Sequence, residues 1–282
     1  MRQYFPVLTI AGSDSSGGAG IQADVKTMSA IGCYAMSAIT SITAQNTTGV
    51  RSIQPILPEI VTDQIEMVVA DIPPLAIKTG MLCDAEVSRA VIDCLTEMSQ
   101  RGTLRNLVVD PVMVSTSGSQ LLEDRAIDVI VEKLLPLAEI VTPNRMEAVR
   151  LTGESEPVAQ ARRFREMGCR NVLLKGGDSD RTDVKTDWLS LEGSDQLMPL
   201  TADCVETRNT HGTGCTLSSA IASYLALGCG LEDAVRRAKL YITRALQAGA
   251  FVTVGRGHGP VNHFFNPRHL KNYNPKHYGC KD

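Results

Sequence analysis

The stretch Pro6-Val-Leu-Thr-Ile-Ala-Gly-Ser-Asp-Ser-Ser-Gly-Gly-Ala-Gly20 joins a short apolar run to a glycine-rich loop. Beyond the loop, apolar residues recur every three or four positions at Ile21, Val25, Met28 and Ile31. This spacing predicts a helix with one buried face. A second apolar run covers residues 35–43, so the order is strand, helix, strand, which is the βαβ unit of a parallel sheet.

Short apolar runs alternate with helical patterns along most of the remaining chain. Further strands are predicted at residues 75–78, 107–109, 139–142 and 172–175. A hairpin turning at Gly193 is predicted over residues 185–199 at the sheet edge, and helices are predicted over 213–227 and 231–248. The predicted class is therefore α/β, with one domain over 1–265 and a C-terminal tail over 266–282.

Composition and charge restrict the partners. Of the 282 residues, 43% are hydrophobic and 21% are charged, as in an ordinary globular protein with a substantial core. Lys and Arg number 28 against 31 Asp and Glu, a net charge of -3 without blocks of like charge. No apolar run approaches the roughly 20 residues that span a bilayer, and no signal-peptide pattern opens the chain. We expect a cytoplasmic protein that binds a small molecule, and neither nucleic acid nor membrane.

The cysteines argue against two kinds of site. The chain contains 8 of them, and no pair has the C-x-x-C spacing. A zinc site and a dithiol redox motif both use that spacing. We therefore expect free thiols, most of them buried as small apolar side chains.

The segment His211-Gly-Thr-Gly-Cys-Thr216 opens the helix predicted over 213–227. Gly212 and Gly214 let backbone amides converge where a helix N-terminus already favours negative charge, which predicts an anion site. The glycines alone are equally typical of a connecting turn. Cys215 falls in the first turn, where the helix dipole is expected to lower the pKa of its thiol.

Glycines of the first loop do not form a dinucleotide-binding fingerprint. Their positions, Gly12, Gly17, Gly18 and Gly20, do not fit G-x-G-x-x-G, so a Rossmann dehydrogenase is a weak alternative. The loop still allows a ligand to approach the backbone closely. The segment at 211–216 also lacks the G-x-x-x-x-G-K-[ST] pattern of a P-loop.

Two other strand ends carry polar groups suited to a nucleotide. In Thr142-Pro-Asn-Arg-Met-Glu147, Asn144 is the predicted N-cap of a helix and Glu147 its N3 residue. Glu147 is compatible with a capping box and equally with Mg²⁺ held through water. Lys175 closes an apolar strand and places an ammonium group at the edge of the sheet where phosphates bind.

Together these segments resemble the ribokinase-like superfamily, and within it the hydroxymethylpyrimidine (phosphate) kinases of thiamine biosynthesis. The resemblance runs from about residue 8 to 265 and rests on several ordered motifs. They are Ala11 to Asp24, Thr43-Ala-Gln-Asn46, Lys78-Thr-Gly-Met-Leu82, Val109-Asp-Pro-Val-Met113, Thr142 to Glu147 and Thr210-His-Gly-Thr-Gly-Cys215.

The resemblance implies a three-layer ribokinase-like sandwich with a mostly parallel central sheet and a small edge hairpin. It also implies ATP and Mg²⁺ as cofactors, and two transfers, first to 4-amino-5-hydroxymethyl-2-methylpyrimidine and then to its monophosphate. The implied substrate residues are Gln45, Gly12, Asp24 and Met81. The implied ATP residues are Asn144, Lys175 and Thr213, the metal residues are Glu147 and Asp110, and the reacting centre contains Gly212, Gly214 and Cys215.

The sequence departs from the wider superfamily at Cys215, where many relatives have an aspartate as base. Whether the thiol removes the proton or only orients the alcohol is left open. A flap is predicted over residues 112–120, and the resemblance implies that some pyridoxal kinases of the same branch use a second cysteine on it. These residues contain no cysteine, which favours the pyrimidine over pyridoxal. A pyridoxal kinase and a non-catalytic sensor of the pyrimidine are the alternatives. An exposed sheet edge and the relatives suggest a homodimer.

Overall fold

The computed structural model describes residues 1–113, 124–176 and 183–277. The strands are β1 (Gln3–Tyr4), β2 (Pro6–Ala11), β3 (Tyr34–Ile39), β4 (Ser41–Asn46), β5 (Gly49–Pro55), β6 (Ala76–Thr79), β7 (Leu107–Val109), β8 (Ile140–Val141), β9 (Val172–Leu174), β10 (Val184–Ser190), β11 (Leu197–Asp203) and β12 (Asn272–Tyr273). The helices are α1 (Gly20–Ile31), α2 (Pro58–Asp71), α3 (Ala85–Gln100), α4 (Asp124–Val129), α5 (Arg145–Thr152), α6 (Pro157–Glu166), α7 (Thr213–Ala226) and α8 (Leu231–Gly249). Residues 114–120 of the predicted flap lie outside the described residues.

The central sheet has the strand order β11-β10-β9-β8-β7-β6-β2-β3. Its strands from β9 to β3 pair in parallel, whereas β10 and β11 form an antiparallel hairpin at one edge. Gly193, in the connection between these two strands, has a φ of 75°. The predicted mostly parallel sheet and its edge hairpin are confirmed.

Helices cover both faces of the sheet, because successive side chains of a strand point to opposite faces. All residues of β2 are buried. Leu8 and Ile10 pack in the cluster that contains side chains of α2 and α3, whereas Val7 packs in the cluster formed with α1, α7 and α8. The three-layer α/β architecture follows from this two-sided burial.

One predicted element is wrong. The apolar run over 35–43 does not form one strand, because β3 ends at Ile39 and β4 begins at Ser41 outside the central sheet. At the break, the amide of Thr40 donates to the carbonyl of Ala11, and its hydroxyl donates to the carbonyl of Met81. These bonds turn the chain so that β4 pairs with β5, and the resulting two-stranded sheet stands over the carboxyl ends of the parallel strands.

The first strand pairs with the last strand of the described residues. Strand β12 pairs antiparallel with β1, and the ring of Tyr273 lies 4.6 Å from that of Phe5 between centroids. Among the described residues, no helix has the length and hydropathy that crossing a membrane requires. The seven cysteines of the described segments form no disulfide bonds.

A fully buried ion pair joins the layers beneath the carboxyl ends of the strands. The ammonium of Lys78 on β6 lies 2.8 Å from a carboxylate oxygen of Asp24 on α1, and neither side chain is exposed. Thr9 on β2 and Ser219 on α7 each donate to the same carboxylate at 2.6 Å. Burial alone would lower the pKa of Lys78, but the nearby negative groups, Asp24 foremost, together with the hydrogen bond to Asp24 outweigh it and raise the pKa, so the Lys78 ammonium stays charged.

Replacing Lys78 by methionine is expected to lower the free energy of unfolding by about 3–5 kcal/mol, because an unpaired carboxylate remains buried. Chemical denaturation measures this change. The control is Arg237→Met, which removes an exposed partner of Asp233 and should cost less than about 1 kcal/mol. Equal losses of unfolding free energy in the two variants would contradict the claim that the buried pair stabilises the fold more than an exposed pair does.

Candidate active site

The carboxyl ends of the parallel strands, the sheet of β4 and β5, and the start of α7 enclose a cavity of about 610 Å³. All but one of the predicted site residues line it. They are Gly12, Gln45, Met81, Asp110, Asn144, Glu147, Lys175, Gly212, Thr213, Gly214 and Cys215. Sequence motifs far apart along the chain therefore meet in one place.

Asp24 is the predicted substrate residue that does not line the cavity. It is fully buried, and its carboxylate accepts hydrogen bonds from Thr9, Lys78 and Ser219. The side chain that borders the cavity at this point is Lys78, which had no predicted role. A Cβ added at Gly80 would lie 2.8 Å from the Lys78 ammonium, so only glycine leaves that group its place.

The start of α7 is an open anion site. Gly212 is the N-cap with φ 80°, and a Cβ there would lie 1.9 Å from the carbonyl oxygen of Gly18. The amides of Gly214 and Cys215 have no acceptor among the residues that the structure describes. Unpaired amides at the positive end of a helix dipole bind phosphate oxygens well.

Lys175 and Asp110 form an ion pair beside these amides. The Lys175 ammonium lies 2.9 Å from Oδ1 of Asp110, and the hydroxyl of Ser218 donates to Oδ2 at 3.1 Å. Burial opposes both charges, but each charge stabilises the other, so the pKa of Lys175 is raised and that of Asp110 is lowered. A Cβ on Gly214 would lie 3.3 Å from the Lys175 ammonium, so the missing side chain leaves room next to the pair.

Glu147 forms the predicted capping box with Asn144. Its amide donates to the Asn144 side chain at 2.9 Å, and its carboxylate accepts from the Asn144 amide at 2.8 Å. The side chain is buried, and burial raises the pKa of its carboxyl to about 7, with Lys175 lowering it and Asp110 raising it. The cap does not preclude a second role, since a carboxylate has several acceptor positions.

The predicted lowering of the Cys215 thiol pKa is wrong. Burial raises the pKa of this thiol to about 11, and the nearby charge of Lys78 only partly offsets that effect. Desolvation of the thiolate, together with the charges of Asp24 and Asp110, is thus stronger than the attraction of the Lys78 ammonium. At neutral pH the thiol is protonated.

The first glycine-rich loop is filled by a side chain of its own. The carboxylate of Asp14 accepts from the amides of Ser16, Gly18 and Ala19 and from the Ser16 hydroxyl. It also accepts from Nε2 of His211 at 2.8 Å. Burial would raise the pKa of Asp14, but these hydrogen bonds, that of His211 foremost, lower it. Neither Asp14 nor His211 was a predicted site residue, although an aspartate among glycines is a typical turn former.

One end of the cavity carries an amide above an apolar wall. Gln45 follows an irregularity in the pairing of β4 with β5, and the Ser15 hydroxyl bonds to both its backbone amide and its carbonyl. The buried side chains of Met81 and Cys83 form a small cluster with Val112. An irregular strand position of this kind re-aims a side chain towards a ligand.

The opposite end of the cavity is mainly apolar and was not predicted. Its apolar lining residues are Val205, Leu217, Ile242 and Leu246. Lys239 on α8 lies 2.7 Å from the buried carboxylate of Asp187 on β10, which also accepts from the amide of Gly176. No local motif marks these positions, because they meet only when α7 and α8 pack beside β10 and β11.

The family model described as phosphomethylpyrimidine kinase matches residues 14–262. The chain is 47% identical over 266 residues to a hydroxymethylpyrimidine/phosphomethylpyrimidine kinase of Rhizobium meliloti, covering 91% of this chain and 96% of that protein. It is 48% identical over 273 residues to a thiamine biosynthesis bifunctional protein of Geobacter sulfurreducens. That match covers 93% of this chain but only 53% of the bifunctional protein, about half its length.

Two crystal structures resemble the fold. A phosphomethylpyrimidine kinase of Clostridium difficile is 44% identical with a TM-score of 0.73, covering 86% of this chain and 99% of that one. An ADP complex of a Bacillus subtilis pyridoxal kinase is 32% identical with a TM-score of 0.83, covering 93% and 98%. These similarities confirm the predicted ribokinase-like fold. With the matched motifs meeting in one cavity, the chain belongs to the phosphomethylpyrimidine kinase family.

Proposed function

We propose that the protein transfers the γ-phosphoryl group of ATP to 4-amino-5-hydroxymethyl-2-methylpyrimidine and then a second one to the monophosphate. The observation that carries the proposal is the anion site at Gly214 and Cys215, which has the Lys175 ammonium beside it and lies close enough to Lys78 for that charge to act on the Cys215 thiol. Phosphoryl transfer depends on positioning and charge neutralisation, which such a site supplies. The relatives named as hydroxymethylpyrimidine/phosphomethylpyrimidine kinases support this acceptor.

In this proposal the nucleotide occupies the end of the cavity between α7, α8 and the edge hairpin. The apolar side chains there suit a purine ring, and the Asp187 and Lys239 pair offers polar contacts. The phosphates then extend past Asn144 and Thr213 towards the start of α7. Lys175 lies beside that path and neutralises their charge.

Glu147 and Asp110 fit a magnesium ion. Both line the cavity, and they are close enough for the charge of Asp110 to help raise the pKa of Glu147. The described residues contain no group of three or more His, Cys, Asp or Glu that could hold a metal. Mg²⁺ typically binds one or two carboxylates together with waters and substrate phosphates. We assign it to these two carboxylates, where it would neutralise phosphate charge.

The pyrimidine occupies the opposite end. The Gln45 amide has both a donor and an acceptor, so it can pair with a ring nitrogen and an adjacent amine at once, while Met81 contributes an apolar wall. The hydroxymethyl group then points to Cys215. The Cys215 thiol has a pKa of about 11 and is therefore protonated at neutral pH. We assign it the role of orienting the alcohol, because a protonated thiol cannot accept the alcohol's proton before transfer.

A pyridoxal kinase is the second candidate, since the fold is shared with that enzyme of Bacillus subtilis. Identity is higher with the pyrimidine kinases, at 47% against 32%, which favours the pyrimidine. A homodimer, a cytoplasmic location, and the division into a domain over 1–265 and a tail over 266–282 stay predictions of the sequence.

The direct test is turnover of Mg·ATP with the pyrimidine alcohol, with pyridoxal in parallel, followed by mass spectrometry of the products. We expect kcat/KM for the pyrimidine to exceed that for pyridoxal by at least about tenfold, and products carrying one and then two phosphates. A product that stops at the monophosphate would contradict the second transfer, and a preference for pyridoxal would contradict the acceptor.

The raised pKa of Glu147 predicts a pH dependence. Below about pH 7 the carboxyl is protonated and holds the cation weakly, so the KM for Mg·ATP should fall as pH rises through about 7. Glu147→Gln should raise this KM and remove the dependence, whereas Glu166→Gln, at an exposed position of α6, should keep it. An unchanged pH profile in Glu147→Gln would exclude the metal role.

A further inference from the structure

A glycine-rich segment after α8, residues 255–261 and here called the strap, has no part in the proposed chemistry. Its sequence is Gly255-Arg-Gly-His-Gly-Pro-Val261. It runs from the turn between β4 and β5 to the residues just before α7. At both ends its backbone makes hydrogen bonds to neighbouring segments. Its glycines allow the close approach, because they have no side chain to clash with Thr47 or Asn209.

At one end the strap holds the turn of the β4–β5 sheet through Thr47. The amide of His258 donates to the Thr47 carbonyl at 3.0 Å, and the amide of Gly257 donates to the Thr47 hydroxyl at 3.2 Å. A Cβ on Gly257 would lie 1.9 Å from the Thr47 carbonyl oxygen, and one on Gly255 would lie 2.3 Å from the hydroxyl. Any side chain at these two glycines would push the strap off the turn.

At the other end the strap pairs with the residue that precedes the anion site. The amide of His211 donates to the Gly259 carbonyl at 3.0 Å, and the amide of Val261 donates to the His211 carbonyl at 3.3 Å. A Cβ on Gly259 would lie 2.0 Å from the side-chain oxygen of Asn209. The amide nitrogen of Asn209 in turn donates to the carbonyls of Gly249 and Val252 at 2.6 Å each, which fixes this end.

The turn end of the β4–β5 sheet needs such a tie. It is separate from the central sheet, and its strand β5 has no buried residue. Near its start, β4 is held by the Met81 cluster and by Ser13, whose amide donates to the Ser41 carbonyl at 2.9 Å and whose carbonyl accepts from the Thr43 hydroxyl at 2.8 Å. Nearer the turn, the bonds between Ser15 and the backbone of Gln45 continue this attachment. Those bonds lie at an exposed position, where water competes for the same groups.

We propose that the strap is a positioning element that fixes the pyrimidine-binding side chain relative to the phosphoryl-transfer centre. Thr47 lies two residues after Gln45, and His211 directly precedes Gly212, so this short segment links the two halves of the reaction. It does so alongside the first loop, where Asp14 contacts His211 and Ser15 bonds to Gln45. The inference rests on the proposed function. A misplacement of about 1 Å between reacting groups can cost about a hundredfold in rate. A strap that fixes the position of Gln45 therefore affects the turnover rate, although its own residues have no role in binding either substrate.

The test compares Gly257→Ala and Thr47→Val with Thr48→Val. Alanine at 257 would clash with the Thr47 carbonyl, whereas valine at 47 keeps the shape and removes the acceptor of the Gly257 amide. Thr48 is exposed, and its hydroxyl donates within the turn to Asn46, so Thr48→Val is the matched control.

Each variant is measured for KM and kcat with the pyrimidine alcohol, for KM with Mg·ATP, and for hydrogen exchange of the amides in β4 and β5. In Gly257→Ala we expect about a tenfold or greater rise in the pyrimidine KM, a lower kcat, and a KM for Mg·ATP within about twofold of the parent. The exchange protection of β4 and β5 should be lost. Thr47→Val should shift the same quantities less, and Thr48→Val should match the parent.

Unchanged protection of β4 and β5 in both strap variants would overturn the inference, as would kinetics equal to those of Thr48→Val. An equal rise in both KM values would also overturn it, since that result indicates general damage. A parent protein without pyrimidine turnover, but with protection lost in the strap variants, would overturn the proposed function and leave the strap as the tie that holds β4 and β5.

Discussion

The buried ion pair between Lys78 and Asp24 is the contact on which the site depends. It joins β6 to α1, and the hydroxyls of Thr9 and Ser219 extend it to β2 and α7. Because α7 carries the anion site at its start, the pair fixes that helix against the carboxyl ends of the strands. A carboxylate with four hydrogen-bonding contacts has little freedom to shift, so the floor of the cavity is rigid.

Above this floor the cavity separates two kinds of recognition. Its apolar end between α7 and α8 suits a nucleotide base, while Gln45 on β4 suits a polar heterocycle. The charged groups lie between them, where Lys175 and Asp110 face the open amides of α7. In the proposed function, this arrangement directs two ligands to one reacting point and provides positive charge there, as phosphoryl transfer requires.

Patterns local in the sequence predicted much of this structure. The strands of the central sheet and helices α7 and α8 follow from apolar spacing, and the motifs that meet in the cavity follow from strand ends and helix starts. The prediction of one strand over 35–43 was wrong, because the bonds of Thr40 to Ala11 and Met81 that end it are tertiary. The thiol pKa of Cys215 was predicted in the wrong direction because burial cannot be read from a helix position.

The residues that sequence reasoning missed share one property. Asp14 and His211 are 197 positions apart, and Asp187 and Lys239 are 52 apart, yet each pair is in contact. Pairings of this kind depend on how helices and strands are arranged in space, and no local spacing encodes them. The strap also depends on tertiary structure. Its glycines are typical of any loop in sequence, and only their close approach to Thr47 in the fold explains why they are needed.

The central claim is that the transferred phosphoryl group lies at the start of α7, beside the Lys175 ammonium. A crystal structure with a non-hydrolysable ATP analogue, Mg²⁺ and the pyrimidine alcohol tests it most directly. The account predicts terminal phosphate oxygens within hydrogen-bonding distance of the amides of Gly214 and Cys215, and the alcohol beside the thiol. A terminal phosphate held elsewhere, with those amides bound only to water, would contradict it.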